Sequence, residues 1–192
     1  MTYHHTVSFF LICQSDKYYQ LEINMFTKIA DQIDALNSLI GRGVSWLTLL
    51  MALVMFVTVV LRYVFNMGWI WMQESVVFMH GFVFMLAGGY TLLADEHVRI
   101  DILYEPMNEK KRAVVNILGT VFLLFPTCIL IFYYGFTYVS DSWSVLEGSM
   151  EAGGLPGVFI LKSAILAFAV LVSLQGISII IRAFNTLTGN IT

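Results

Sequence analysis

A chain of 192 residues that is 58% hydrophobic and only 12% charged cannot be a water-soluble domain, since such domains carry about 25% charged residues to cover their surface. Lipid is the solvent in which this composition is stable. The net charge of −3, with no long basic run, excludes nucleic acid as a partner.

Residues 1–24 hold a short apolar run at 7–13, with no basic residue before it and Asp16 soon after. That lacks the charged start and small-residue cleavage site of a signal peptide. Met25 is an alternative start of translation, so 1–24 is expected to be a tail, translated or not. From Met25 to residue 43 the pattern changes. Phe26, Ile29, Ile33, Leu36 and Ile40 recur at three- and four-residue steps, with Asp31, Gln32, Asp34 and Asn37 between them. This periodicity predicts an amphipathic helix. It would lie along the cytoplasmic membrane surface with Phe26 and Ile33 as anchors, or pack on a partner's cytoplasmic face.

Residues 44–192 form a membrane domain. Four stretches reach the roughly 20 apolar residues that a bilayer crossing needs: about 44–63, 75–93, 113–139 and 155–181. Cys128 lies inside the third and reads as a small buried hydrophobe rather than half of a disulfide. Lys17, Lys28 and Arg42 precede the first span, Arg99, Lys110, Lys111 and Arg112 join the second to the third, and Arg182 follows the fourth. Arg62 stands on the opposite side, where the loop 140–154 holds Asp141, Glu147 and Glu151 and no base. Cytoplasmic loops carry the basic excess. The expected fold is therefore an all-α integral membrane protein, with an N-terminal amphipathic helix and both termini cytoplasmic.

Trp69, Trp71 and Glu74 close the first external loop. The tryptophans read as interfacial anchors, and a carboxylate at the start of the second helix favours its dipole. His80 lies about one turn inside the expected second span and His97 just past its other end. Two histidines on one helix at opposite ends do not make a haem site. Residues 95–101 alternate in charge beside the membrane, as solvated loop charges or a docking surface. Gly153, Gly154 and Pro156 precede the fourth span, where proline suits a first helical turn. Gly81, Gly88 and Gly89, with the pairs Ser163/Ala167 and Ala169/Ser173, allow close helix approach.

Lys162 is the charged residue inside an expected span. It is either a binding or coupling residue in a water-filled path, or a snorkelling lysine paired with Glu147, Glu151 or a partner carboxylate. Gln175 is polar in lipid and needs a partner. No Ser/His or metal-ligand constellation and no phosphate loop is present in the sequence, and no acidic residue falls inside an expected span. Internal repeats and broken midplane helices, which mark self-sufficient transporters, are absent as well. No catalytic role and no cofactor is expected.

Taken in order, several fragments resemble the small membrane subunit (DctQ type) of tripartite ATP-independent periplasmic (TRAP) transporters. These are Arg62-Tyr63-Val64-Phe65, Trp71-x-x-Glu74 and the most specific, His97-Val98-Arg99-Ile100-Asp101-Ile102-Leu103-Tyr104-Glu105. Gly153-Gly154-Leu155-Pro156, Lys162 and Leu174-Gln175-Gly176 follow. The resemblance spans residues 26–181. It implies a bacterial inner-membrane protein without turnover of its own, a lateral partner to a large membrane subunit (DctM type). A periplasmic substrate-binding protein would deliver an organic acid, and Na⁺ would drive uptake. It also marks Arg62, Trp71, Glu74, His97, Arg99, Asp101, Pro156, Lys162 and Gln175 as interface or structural candidates. Two rival readings are a membrane anchor of a redox complex, which would need paired haem histidines, and a small homodimeric exporter, which would need a membrane-embedded carboxylate.

Overall fold

The computed structural model describes residues 3–95 and 106–189, with side chains from residue 25 onward. Four helices among them are long and apolar enough to cross a membrane. They are α1 (Tyr3–Val64), α2 (Ile70–Leu93), α3 (Glu109–Ser144) and α4 (Val158–Thr188). No strand occurs among the described residues.

The expected amphipathic helix is present, but it is continuous with the first span. From Met25 to Val64 α1 has 40 residues, or about 60 Å, twice the roughly 30 Å of a hydrocarbon core. Gly41 and Gly43 lower helix propensity without ending the helix. At Gly41 the missing side chain is used, because a Cβ there would meet the Tyr90 ring of α2. Within 25–43, Ala30, Ile33 and Asn37 are buried, while Phe26 and Leu36 stay exposed. The segment therefore docks on the bundle by a partly polar face.

α2 starts at Ile70, ahead of the expected start at Ser75, and turns through Ala87 into a final short piece, Gly88–Leu93. This shift matters for two residues. Glu74 falls within the helix rather than at its boundary, and His80 falls near the middle of the span rather than one turn from its end. Gly81 and Gly88 face α4, where added Cβ atoms would meet Leu161 and Phe168.

α3 contains a π turn at Thr120–Leu124, just before Pro126. Proline has no N–H and its ring crowds the carbonyl four residues back. A wider turn ahead of it accommodates both defects. Cys128, as expected of a small hydrophobe, is 4% exposed.

α4 is the central helix and touches all the others. Of its most apolar window 39% is buried, against 11% for each other span. Ala164, Ala169, Leu171 and Val172 form its inner side. It begins at Val158 with Gly157 as the capping residue, so Pro156 lies just outside it. There the proline centres a tight turn in which the Gly157 N–H donates to the Leu155 carbonyl (2.9 Å).

Candidate functional site: polar networks at the two ends of the bundle

Polar side chains gather at both ends of α4 and are sparse between them. At the end near Val158, α3 stops in a left-handed turn. The Leu146 N–H donates to the Trp143 carbonyl and the Glu147 N–H to the Ser142 carbonyl, the two bonds of a Schellman cap. Leu146, with φ +47°, occupies the position glycine usually takes. The cap delivers Glu147 to Lys162, whose Nζ donates to Oε2 at 2.5 Å. The same ammonium lies 4.0 Å from the centre of the Tyr138 ring, within cation–π range. Hydrogen bonding from Lys162 holds the Glu147 carboxyl below the usual glutamate range. Trp143 adds a bond from Nε1 to the Ser163 hydroxyl (2.8 Å) and an edge-on contact with Phe159.

Glu74 anchors the rest of that loop. Its Oε1 accepts from the Ser149 hydroxyl and its Oε2 from the Leu155 N–H at 2.6 Å. Ser149 N–H donates to the Leu155 carbonyl (3.1 Å), which closes the loop on itself. Gly154 makes room for this arrangement, since a Cβ there would collide with the Ser149 hydroxyl and stand 2.6 Å from Glu74 Oε2. Gly153 supplies the turn, with φ +81°. Glu74 thus ties α2 to the α3–α4 loop, a stronger role than favouring a helix dipole.

At the other end of α4, Gln175, Ser178 and Arg182 line one stripe and meet Asp34 and Asn37 of α1. Gln175 Nε2 donates to Asp34 Oδ1 (2.8 Å), and its Oε1 accepts from Asn37 Nδ2 (2.7 Å). Ser178 donates to the same Asp34 oxygen (2.7 Å). Arg182 donates to Asp34 Oδ2 through Nε (3.0 Å) and to Asp31 through Nη2 (2.9 Å). Gln175, Asn37 and Ser178 are at most 2% exposed. Such burial is stable only because the groups satisfy one another. Asn37 Oδ1 lacks a partner and presses on Gly89, where a Cβ would collide with it.

Several expected residues stand apart from these networks. Arg62 is exposed, makes no ion pair among the described residues, and lines an open recess of about 380 Å³ with Asn66, Trp69 and Gln73. Trp69 and Trp71 are exposed. Phe26 is half exposed, but Ile33 is buried and packs inward rather than anchoring in lipid. His97, Arg99 and Asp101 lie outside the described residues. The pairing of Asp34 and Asn37 with α4 is the feature that sequence reasoning missed. Its signal was the spacing of Gln175, Ser178 and Arg182 at helical steps opposite Asp34 and Asn37.

No curated protein and no solved structure matches the chain. The family described as "Tripartite ATP-independent periplasmic transporters, DctQ component" matches residues 51–186, which cover α2, α3, nearly all of α4 and the second half of the first span. The chain therefore belongs to the DctQ family, as a small permease subunit of a TRAP transporter and a multi-pass protein of the bacterial inner membrane.

Proposed function

We propose that this subunit is a non-catalytic scaffold that binds the large, DctM-type membrane subunit side by side. The pair would take up an organic acid delivered by a periplasmic binding protein, with Na⁺ as the driving ion. Both termini would face the cytoplasm, because the basic residues cluster at that end.

The observation that carries the scaffold reading is where the charge goes. Lys162 pairs with Glu147 and Arg182 with Asp34 and Asp31, each within the chain and near an end of α4. Between the ends, α4 packs through Ala164, Ala169, Leu171 and Val172. Transport paths are built on ionisable groups and broken helices at the midplane, and the described residues of this bundle offer a packed core there instead. A rigid bundle beside the large subunit gives that subunit's moving part something fixed to move against. The ion and the substrate class rest on the family likeness.

The test is uptake of a labelled organic acid into proteoliposomes under a Na⁺ gradient, with the binding protein present. The expected result is uptake when both membrane subunits are reconstituted and background when either is omitted. Full-rate uptake by the large subunit alone would sink the proposal.

A further inference from the structure

We infer that the recess between the end of α1 and the start of α2 is a phospholipid headgroup site. Arg62 would pair there with the lipid phosphate, assisted by the carboxamides of Asn66 and Gln73.

The path of the chain builds the recess. α1 ends in a left-handed turn, in which Asn66 takes φ +50° and the Met67 N–H donates to the Leu61 carbonyl (3.0 Å). The chain then runs extended through Trp69 and re-enters helix at Ile70. Arg62 stands in the last turn of α1 and Gln73 in the first turn of α2. With Asn66 and Trp69 they line an opening of about 380 Å³, a size within the roughly 300–1,000 Å³ of small-ligand sites.

Its chemistry fits an anion. The other basic residue at this end of the bundle, Lys162, is committed to Glu147. Asp141, Glu147 and Glu151 stand at the same end, yet none pairs with Arg62, and no carboxylate lines the opening. Among the described residues the Arg62 guanidinium and the Asn66 and Gln73 amides have no acceptor. A guanidinium carries only donors. Three donor groups therefore border one opening with nothing in the chain to accept from them.

Depth decides which anion. Tyr63, Val64, Phe65 and Met67 are all exposed, Tyr63 by 79% and Phe65 by 61%. Apolar surface thus continues past Arg62, and Phe65 stands about 4.5 Å further along the helix axis. Exposed apolar side chains beyond an arginine belong in lipid, and a tryptophan beside it favours the headgroup level. Arg62 is then level with the phosphates of the leaflet at that end. A carboxylate on a soluble partner would reach it only by entering lipid past Phe65 and Met67. A phosphate is already there, and its oxygens accept two parallel bonds from the planar guanidinium fork. A lipid bound in this way holds the α1–α2 end of the bundle at one depth in the membrane.

The experiment uses the full chain, purified in detergent and stripped of lipid, then titrated with dioleoylphosphatidylglycerol. Native mass spectrometry counts the lipids bound. A first lipid should bind at concentrations where dioleoylglycerol, which keeps the chains and lacks the phosphate, does not. Arg62→Gln should weaken that first binding about three- to tenfold. The variant should fold normally, because Arg62 is exposed and makes no bond to lose. Arg62→Lys should recover part of the affinity, since it keeps the charge and loses the fork. Lys111→Gln, at an exposed position on the opposite end, should leave the first binding unchanged.

Equal binding in Arg62→Gln and the parent would overturn the site. An equal loss in Lys111→Gln would do the same, because any surface cation would then serve. Inorganic phosphate that displaces the lipid at comparable concentration would assign the recess to a free anion instead. Unchanged lipid binding in Arg62→Gln, with weaker capture of the periplasmic binding protein by the two membrane subunits, would assign Arg62 to a protein carboxylate and overturn the lipid reading.

Discussion

Gln175 on α4 and Asp34 on α1 are joined by a 2.8 Å hydrogen bond between the first and last helices of the bundle. Gln175 is 2% exposed and also accepts from Asn37. Leucine would fill nearly the same volume while leaving one Asn37 bond and one Asp34 bond unmet. Removing one partner from a buried hydrogen bond costs about 1–3 kcal/mol. Gln175→Leu should therefore lower the melting temperature of the purified subunit in detergent. Adding Asn37→Leu should recover part of the loss, because the under-bonded amide is then gone. Equal melting of Gln175→Leu and the parent would mean that the network contributes nothing.

Acid should loosen the opposite end. The Glu147 carboxyl is held below its ordinary range by the hydrogen bond from Lys162. A carboxyl depressed by folding contributes stability that is fully present above its unfolded value and is lost as pH falls through the folded one. Thermal melts taken from neutral pH down to about pH 3 should show a component of stability disappearing at the acid end of that range. Glu147→Gln should remove that component. Lys162→Met should shrink that component, since the main hydrogen bond that lowers the carboxyl is then lost. An acid profile identical in Glu147→Gln and the parent would rule out this assignment.

The sequence reading reached the four spans because each is a long apolar run, a signal that composition carries by itself. It reached the need of Gln175 for a partner for the same reason, since a carboxamide in an apolar helix has nowhere local to bond. It placed Lys162 between two roles with Glu147 among its candidate partners, and the Schellman turn at Leu146, which sets the loop direction, selects Glu147. What stayed hidden was tertiary. Residues 25–43 show a polar stripe and an apolar stripe, and periodicity alone does not say which stripe meets protein. Asp34 and Asn37 went inward because Arg182, Ser178 and Gln175 offered them bonds across roughly 140 residues of sequence. The start of α2 was hidden as well, since Glu74 looked like a membrane boundary until Ser149 and the Leu155 N–H satisfied it inside the helix.

That last arrangement gives a test at one atom. Gly154 has no Cβ, and an added one would stand 2.6 Å from Glu74 Oε2 and collide with the Ser149 hydroxyl. Ser149 donates to Glu74, and Glu74 also accepts from the Leu155 N–H, so neither can retreat without losing a bond. Overpacking of this kind costs about 1–3 kcal/mol. At Gly153 a Cβ would meet open space, and the penalty comes only from its φ of +81°, about 1–2 kcal/mol. The two alanine variants should therefore differ in kind. Gly154→Ala should release the 145–157 loop from α2, read as faster protease cleavage there, and Glu74→Ala should reproduce that cleavage. Gly153→Ala should lower the melting temperature while the Glu74 clamp stays closed. Equal protection of the loop in all three variants would show that Glu74 does not hold it.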